Sequence, residues 1–327
     1  MRTLRRRFLY LAGGAAALPA ASRSAWAQSY PARPVRLIVA YAPGGMTDTI
    51  GRLMAQRLSD RFKRQFHVEN MPGGGGNIGS GRAARAAADG YTILVNDGTS
   101  FVINPILYRN AGYDPDGDFK AIAVPVTTTQ VLTVTPSMPA HTVKDLVALI
   151  KASPGKYSYA SAGVTSPSRF TSELFRTSLG LDLVHVPFNG AGPAITSTMG
   201  GHTQIAFGSP ASSLAQIRGG TLRALAVASR SRLGALPDVL TMKEAGFPEI
   251  ECDSGIGFFV PTGTPREIID SLNREIGAIV ALPEVKEQLA TFGFESSPGT
   301  PEQAAIALKE ESAKWLNVIR TAAIKAE

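Results

Sequence analysis

The chain has 327 residues, 33 basic against 26 acidic side chains, a formal net charge of +7, one cysteine and four histidines. A single cysteine excludes an intrachain disulfide, and Cys252, set among apolar neighbours, reads as a packing thiol. His67, His141, His185 and His202 form no H-x-x-x-H or H-E-x-x-H pair, so the sequence supplies no metal-ligand set.

MRTLRRRFLYLAGGAAALPAASRSAWAQ combines a basic start, an apolar run from Phe8 to Ala21 and the small-residue site Ala25-Trp26-Ala27. This is the pattern of a secretory signal peptide over 1–27, with the mature chain starting at Gln28 and functioning in the periplasm. The apolar run falls short of the ~20 residues that cross a bilayer. Arg5-Arg6-Arg7-Phe8-Leu9 fits twin-arginine export, although Leu4 stands where Ser or Thr is usual; general export is the alternative. Cleavage removes Arg2, Arg5, Arg6, Arg7 and Arg23 and no acid. The basic balance therefore belongs largely to the leader and does not indicate a nucleic-acid partner.

VRLIVAY (35–41) is a short β-branched run between prolines, and a helical pattern follows with Ile50, Leu53, Met54, Leu58 and Phe62 on one face. QFHVEN, a Gly-rich loop, an Ala-rich helix over 77–88 and the strand YTILVN complete a β-α-β-α-β unit, the pattern of a parallel sheet covered by helices. A second set begins after Pro125. VTTTQVLTVTP predicts one long strand, and short strands then alternate with helices as far as LRALAVAS. A further strand lies in 251–265, and three helices over 265–281, 283–292 and 301–322 close the chain, the last with Leu308, Trp315 and Ile319 on one face. The expected organisation is a first lobe from 28–125, a second from 126–250, and a return strand with C-terminal helices (251–327) that belong mainly to the first.

Ligands of open α/β sheets bind beyond the carboxyl ends of strands. In YAPGGMTDTIG (41–51), Gly44 and Gly45 allow close backbone approach, Thr47 or Asp48 is expected to cap the helix, and the first-turn amides suit an anion. NMPGGGGNIGSG (70–81) carries a G-x-G-x-x-G spacing at Gly74, Gly76 and Gly79, with Asp97 after it. It follows the second strand, however, and Pro72 removes an amide, which argues against a dinucleotide cradle. NDGTSFVINP offers the hydroxyls of Thr99 and Ser100, with Asn104-Pro105 read as a turn. SAGVTSPSRF (161–170) offers Gly163, Thr165, Ser166 and Ser168 as donors to a carboxylate. VPFNGAGPA offers Phe188 as a wall and Asn189 at another helix entrance. No histidine lies in these loops to pair with Ser or Thr, so binding is expected and catalysis is not.

Seven collinear blocks carry a resemblance over nearly the whole mature chain. They are YPARPVRLIVAYAPGGMTDTIGR, VENMPGGGGNIGSGRAARAAADGYTIL, INPILY, SYASAGVTSPSRFTSELF, VHVPFNGAGPAITSTMGG, LRALAVASRSRLGALPDVLTMKEAG and VPTGTP. The sequence resembles the periplasmic substrate-binding proteins of tripartite tricarboxylate transporters, also called Bug proteins. The resemblance implies an α/β, two-lobed Venus-flytrap fold of the periplasmic binding protein type II kind. It also implies a small carboxylate held between the lobes by amides and hydroxyls, without a cofactor. Gly44, Gly45, Met46, Thr47 and Asp48 match the family's first loop, Asn77 and Ile78 its Gly-rich loop, and Ser161, Gly163, Thr165, Ser166 and Ser168 its second-lobe anchor. The partners implied are the permease subunits of such a transporter, or a sensor kinase, with the receptor itself a monomer. An exported NAD(P)-dependent oxidoreductase is the alternative. Phe101 and Arg169 replace the family's usual His, and Gly255 falls near a usual aromatic; the resulting expectation is a wider, more cationic cleft for a ligand bulkier or more anionic than a short amino-dicarboxylate, such as an aromatic or branched carboxylate.

Overall fold

In the computed structural model, residues 30–163, 165–188, 190–322 and 324 are described, so the expected leader, its expected cleavage site and Asn189 lie outside the described residues. The first sheet is built as the sequence pattern suggests. β1 (Val35–Val39), α1 (Met46–Phe62), β2 (Phe66–Asn70), a 3₁₀ turn (Gly74–Gly76), α2 (Asn77–Ala84) and β3 (Thr92–Asp97) follow in order. β1 runs parallel to both neighbours, Val39 pairing with Asn70 on one side and Val95 on the other. Leu37, Ile38 and Val39 are wholly buried, as an apolar run must be when both sheet faces are covered. α2 stops four residues short of the expected end, where Asp89 takes the Tyr91 N–H and turns the chain toward β3.

Gly79, which completed the G-x-G-x-x-G spacing, is a packing residue. A Cβ there would sit 2.9 Å from Ala40 Cα and 3.0 Å from the Met71 carbonyl. β2 is the outer strand of its sheet, so the Gly-rich turn also lies at a sheet edge and away from a topological switch point.

The stretch read as a loop at 96–105 is instead a helix, α3 (Gly98–Leu107), with Pro105 inside it. Proline there cannot bond back to the Phe101 carbonyl, and the Tyr113 hydroxyl donates to that carbonyl at 2.8 Å. The freed acceptor is satisfied, and the helix passes through its proline.

Two crossings join the sheets. β4 (Phe119–Thr129) runs through Pro125 and ends four residues later, and β5 (Val131–Val134) begins the second sheet after Gln130. The single long strand expected from 126 is thus two strands in two sheets. Pro125 is tolerated because the register against β10 (Asp253–Pro261) shifts between the pairs Ile256–Val126 and Phe258–Ala123, which leaves Val124 and Pro125 in a bulge. The return crossing lies alongside: Ala228 N–H donates to Gln130 O at 2.9 Å, Cys252 N–H donates to Ala228 O at 2.6 Å, and the Thr129 hydroxyl donates to Cys252 O at 3.0 Å. Cys252 is wholly buried, and burial pushes its thiol up to about 12, as befits an inert packing residue.

The second lobe contains α4 (Val143–Ala152), β6 (Ser158–Ser161), α5 (Pro167–Ser178), β7 (Val184–Pro187), α6 (Ala191–Met199), β8 (Ile205–Gly208), α7 (Pro210–Arg218) and β9 (Arg223–Val227). Its sheet order is β7-β6-β8-β5-β9. α8 (Arg266–Ala281), α9 (Pro283–Thr291), β11 (Phe294–Ser296) and α10 (Pro301–Ala322) complete the chain, and the first sheet has the order β11-β4-β10-β3-β1-β2. Leu308, Trp315 and Ile319 are buried on one face of α10, which packs on α3 and β4 and also on α5. Trp315 meets Phe170 of α5 with ring centroids 5.6 Å apart, so the last helix touches both lobes.

Candidate functional site

Loops from both sheets converge on one chamber of about 270 Å³. The first lobe contributes Tyr41, Gly45, Met46, Thr47, Gly75, Asp97 and Ser100; the second contributes Ala162, Gly163, Thr165, Ser166 and Pro167. The described lining residues include one carboxylic acid, Asp97, and no Lys, Arg or His.

α1 is capped differently from the expectation. Its N-cap is Gly45, with no side-chain cap, so the Gly45–Thr47 segment that lines the chamber brings uncapped first-turn amides to it. Asp48 turns inward, accepting from Gly44 N–H at 2.8 Å, Arg52 Nε at 2.9 Å and Asn70 Nδ2 at 2.8 Å. Burial opposes its ionisation, but these hydrogen bonds outweigh burial and hold the carboxyl below its ordinary range. Asp48 and Gly44 therefore brace the loop from behind and do not line the chamber.

In the Gly-rich turn, Gly75 reaches the chamber at φ +63°. Its carbonyl accepts from Asn104 Nδ2 at 2.8 Å and from the Tyr41 hydroxyl at 3.3 Å. A Cβ at Gly75 would lie 2.8 Å from Thr165 Oγ1, so the two lobes meet at this point with no room for a side chain. Asn77 and Ile78 are placed outside the chamber: Asn77 Oδ1 accepts from Asn104, and Ile78 is 60% exposed.

Ser100 lines the chamber, whereas Thr99 is wholly buried behind it, sharing a hydrogen bond with Ser254 and donating to Glu311. Asp97 caps α3 through Oδ1, which accepts Ser100 N–H at 2.8 Å, while Oδ2 accepts from Ser254 Oγ at 2.7 Å. Burial raises its carboxyl above the usual range. Sequence reasoning passed over Asp97 and Tyr41 as chamber residues. The available signal was an Asp at a strand end followed by a helix, which marks an N-cap.

On the second lobe, Ser166 caps α5, accepting Arg169 N–H at 3.3 Å and donating to Gly163 O at 2.7 Å. Ser168 Oγ accepts Ala162 N–H at 2.9 Å and holds the loop from beneath. Ser161 is wholly buried, with Oγ 2.7 Å from His185 Nε2. No histidine lies in these loops, as the sequence shows, but the register of β6 and β7 sets His185 of β7 beside Tyr159 and brings it to Ser161. Burial and then Arg169 push the imidazole down to about 4, so it is neutral at pH 7, and it meets Ser161 behind the loop, outside the chamber. Phe188 lines a separate shallow groove with Val186, Pro193 and His202.

A smaller cavity of about 60 Å³ adjoins the chamber and shares Met46, Ala162, Ser166 and Pro167 with it. Its wall is largely apolar, built by Ala191, Ala194 and Ile195 of α6 with Ala206 and Phe207 of β8, while Gln130, Ser168, Ser209 and Ser212 also line it.

The expectation of a wider, more cationic cleft does not hold. A Cβ at Gly255 would be 2.1 Å from Val124 Cγ1, and Gly255 lines a different cavity, beside Glu311 and Trp315. Phe101 is buried and stacked on Phe259 at 4.2 Å. Arg169 is absent from the chamber lining, and its charge is felt by His185 and Tyr159. Among the described residues no cluster of three His, Cys, Asp or Glu could hold a metal ion, and no helix is long and apolar enough to cross a membrane.

Residues 50–324 match the model of the tripartite tricarboxylate transporter family receptor. The chain is 35% identical over 311 residues to the protein of the tcbD-tcbE intergenic region of Pseudomonas sp. strain P51, covering 94% of this chain and 92% of that one. It is 32% identical to BugT of Bordetella pertussis over 300 residues, 91% and 92% of the two chains. A Rhodopseudomonas palustris protein solved with adipate superposes with a TM-score of 0.82 at 32% identity, covering 90% of this chain and 99% of that one. The periplasmic binding protein BugD superposes at 0.78 with 30% identity, covering 91% and 100%. MatC of R. palustris, solved with bound malate, does so at 0.77 with 28% identity, covering 89% and 100%. The two lobes thus form the α/β flytrap fold of periplasmic binding proteins.

Proposed function

The chain belongs to the tripartite tricarboxylate transporter receptor family, and from that premise we propose that it captures a small carboxylate between its lobes and delivers it to a membrane transporter of that type. The observation that carries the reading is the convergence of α1 and α5, from opposite lobes, on one chamber. Helix N-termini present amides and a partial positive charge, and an anion is their natural occupant. The relatives solved with adipate and malate support a carboxylate as that anion.

The ligand would bridge Gly45–Thr47 to Thr165–Ser166, with Gly163 and Ser100 completing the wall. Asp48, Ser161 and Ser168 would hold the loops in shape, and Asn77 would act through Asn104. A hydrogen bond to a charged acceptor contributes about 1.5–3 kcal/mol. Three or four of them reach roughly micromolar affinity once ordering costs are met. An anion touching both lobes binds the closed form better than the open one, so it drives closure, with Gln130 and the Ala228–Cys252 crossing as the flexing points. The closed form would then dock on permease subunits, after export to the periplasm and cleavage near Ala27. A binding protein of this design needs no catalytic residue.

A thermal-shift screen of the mature protein, refolded to strip carried-over ligand, tests the reading. The panel holds mono-, di- and tricarboxylates, amino acids and nicotinamide dinucleotides. At about 100 times its Kd a ligand adds roughly 2.7 kcal/mol, a shift of several degrees. A carboxylate hit is the expected result; a dinucleotide hit with all carboxylates silent overturns it.

A further inference from the structure

Resting on that reading, we propose that the ligand is a monocarboxylate with a short apolar branch, its charge in the polar chamber and its branch in the adjoining cavity. The two spaces lie side by side and share Met46, Ala162, Ser166 and Pro167 as walls, so a small molecule that passes these residues would occupy both. The chamber end offers amides and hydroxyls. The far end is walled mostly by Ala191, Ala194, Ile195, Ala206 and Phe207; Gln130, Ser168, Ser209 and Ser212 also line the cavity, and no Lys, Arg or His is there to pair with a second carboxylate. The Ser168 hydroxyl is engaged by Ala162 N–H and Ser166, and those of Ser209 and Ser212 by each other, so an anion moved onto this wall loses hydration with little compensation.

Charge points the same way. Asp97 is the one carboxylic acid among the described chamber residues, and no Lys, Arg or His accompanies it. Ionised, Asp97 repels each carboxylate in the chamber, so a second adds to the cost of the first; protonated, it offers neither a positive charge. Its Oδ1 and Oδ2 are already engaged by Ser100 N–H and Ser254 Oγ. The cavity, at about 60 Å³, has room for a short branched alkyl group. Every methylene transferred from water to such a wall tightens binding about fourfold. The relatives solved with adipate and malate carry dicarboxylates, so the inference separates this chain from them within one fold.

Titration calorimetry of the refolded mature protein at pH 7.5 with acetate, isobutyrate, isovalerate, succinate and methylsuccinate tests it. Isovalerate is expected to bind at least about tenfold tighter than acetate and than methylsuccinate. Equal affinities, or a dicarboxylate ahead, overturn the branched-monocarboxylate assignment while leaving a carboxylate receptor standing. Silence from all five and from the wider carboxylate panel sinks both readings.

Two variants locate the effect. Ala191→Leu fills the cavity and should lower the isovalerate-to-acetate affinity ratio about tenfold; an unchanged ratio overturns the placement of the branch. Should Ala191→Leu not fold, Ile195→Val replaces it, with 3,3-dimethylbutyrate gaining about threefold on isovalerate. Asp97→Asn should raise the succinate-to-acetate ratio about tenfold, and an unmoved ratio removes the charge argument.

Discussion

Gly75→Ala puts the closure argument under direct load. Gly75 sits at φ +63°, and an added Cβ would lie 2.8 Å from Thr165 Oγ1 on the opposite lobe. Ordinary contacts begin near 3.4 Å, so the lobes must separate by several tenths of an ångström or Thr165 must give way. Thr is stiff at χ1, and its loop is tied down by the Ser166–Gly163 hydrogen bond. Overpacking of this kind costs about 1–3 kcal/mol. Borne only by the closed form, that cost raises Kd about 5- to 150-fold. A separate cost, about 1–2 kcal/mol for a non-glycine residue in the left-handed region, falls on the stability of the free protein. Calorimetry and urea melts read the two apart. The double variant Gly75→Ala/Thr165→Ala removes the hydroxyl and should recover much of the binding loss without recovering the stability loss. If the single variant binds as well as the parent, or if the two losses simply add, the lobes do not close through this contact and the reasoning is wrong.

Three further outcomes are expected. Burial lifts the Glu311 carboxyl to about 7, and burial with Glu251 nearby lifts Asp253 to about 6, so both hold protons more tightly folded than unfolded. Their stabilising effect is complete below the ordinary carboxylate range and is lost as pH rises through about 6 and 7, at up to about 1.4 kcal/mol per pH unit for each group. The Tm should therefore fall by roughly a few degrees between pH 5 and pH 8, less steeply below about pH 6.5, where neutral His185 adds stability as pH rises, and Glu311→Gln should flatten that slope; a Tm that climbs steeply over this range contradicts the assignment. Tyr113→Phe leaves the Phe101 carbonyl without its donor inside α3 and should cost about 1–3 kcal/mol in a urea melt, with no cost if Pro105 is accommodated in another way. Trp315→Ala empties a site packed against Phe170 and should cost about 3–5 kcal/mol; a loss under 1 kcal/mol, about the value of a surface change, would show that α10 is not anchored between the lobes.

The parallel β-α-β unit was legible because β1 and β3 are buried on both faces and must be continuous apolar runs. The loops at strand ends were legible because Gly, Ser and Thr before a helical pattern announce a helix entrance. What escaped was decided by tertiary partners. Pro105 signals a turn until Tyr113 supplies the missing hydrogen bond, and Pro125 signals a boundary until β10 supplies a bulge. His185 reaches Ser161 only through the register of two strands more than twenty residues apart in the chain. The carboxylates were the hardest case. Asp48 and Asp97 both stand near helix starts, yet Arg52 and Asn70 draw the first inward, while Ser100 and Ser254 fix the second at the chamber wall. Arg52 and Ser100 are local, but Asn70 and Ser254 come from 22 and 157 residues away, and no spacing rule shows them. Gly255 teaches the same point: its place in the sequence does not show that it lines a different cavity from the chamber.

The central claim is that a carboxylate sits between the lobes at the N-termini of α1 and α5. A crystal structure of the refolded mature protein with the tightest carboxylate found in the screen tests it most directly. The account predicts carboxylate oxygens about 2.7–3.2 Å from amides of the Gly45–Thr47 segment and from the Thr165 amide or hydroxyl at once. A carboxylate resting on one lobe alone, or in the cavity beside Gly255 and Glu311, would contradict it.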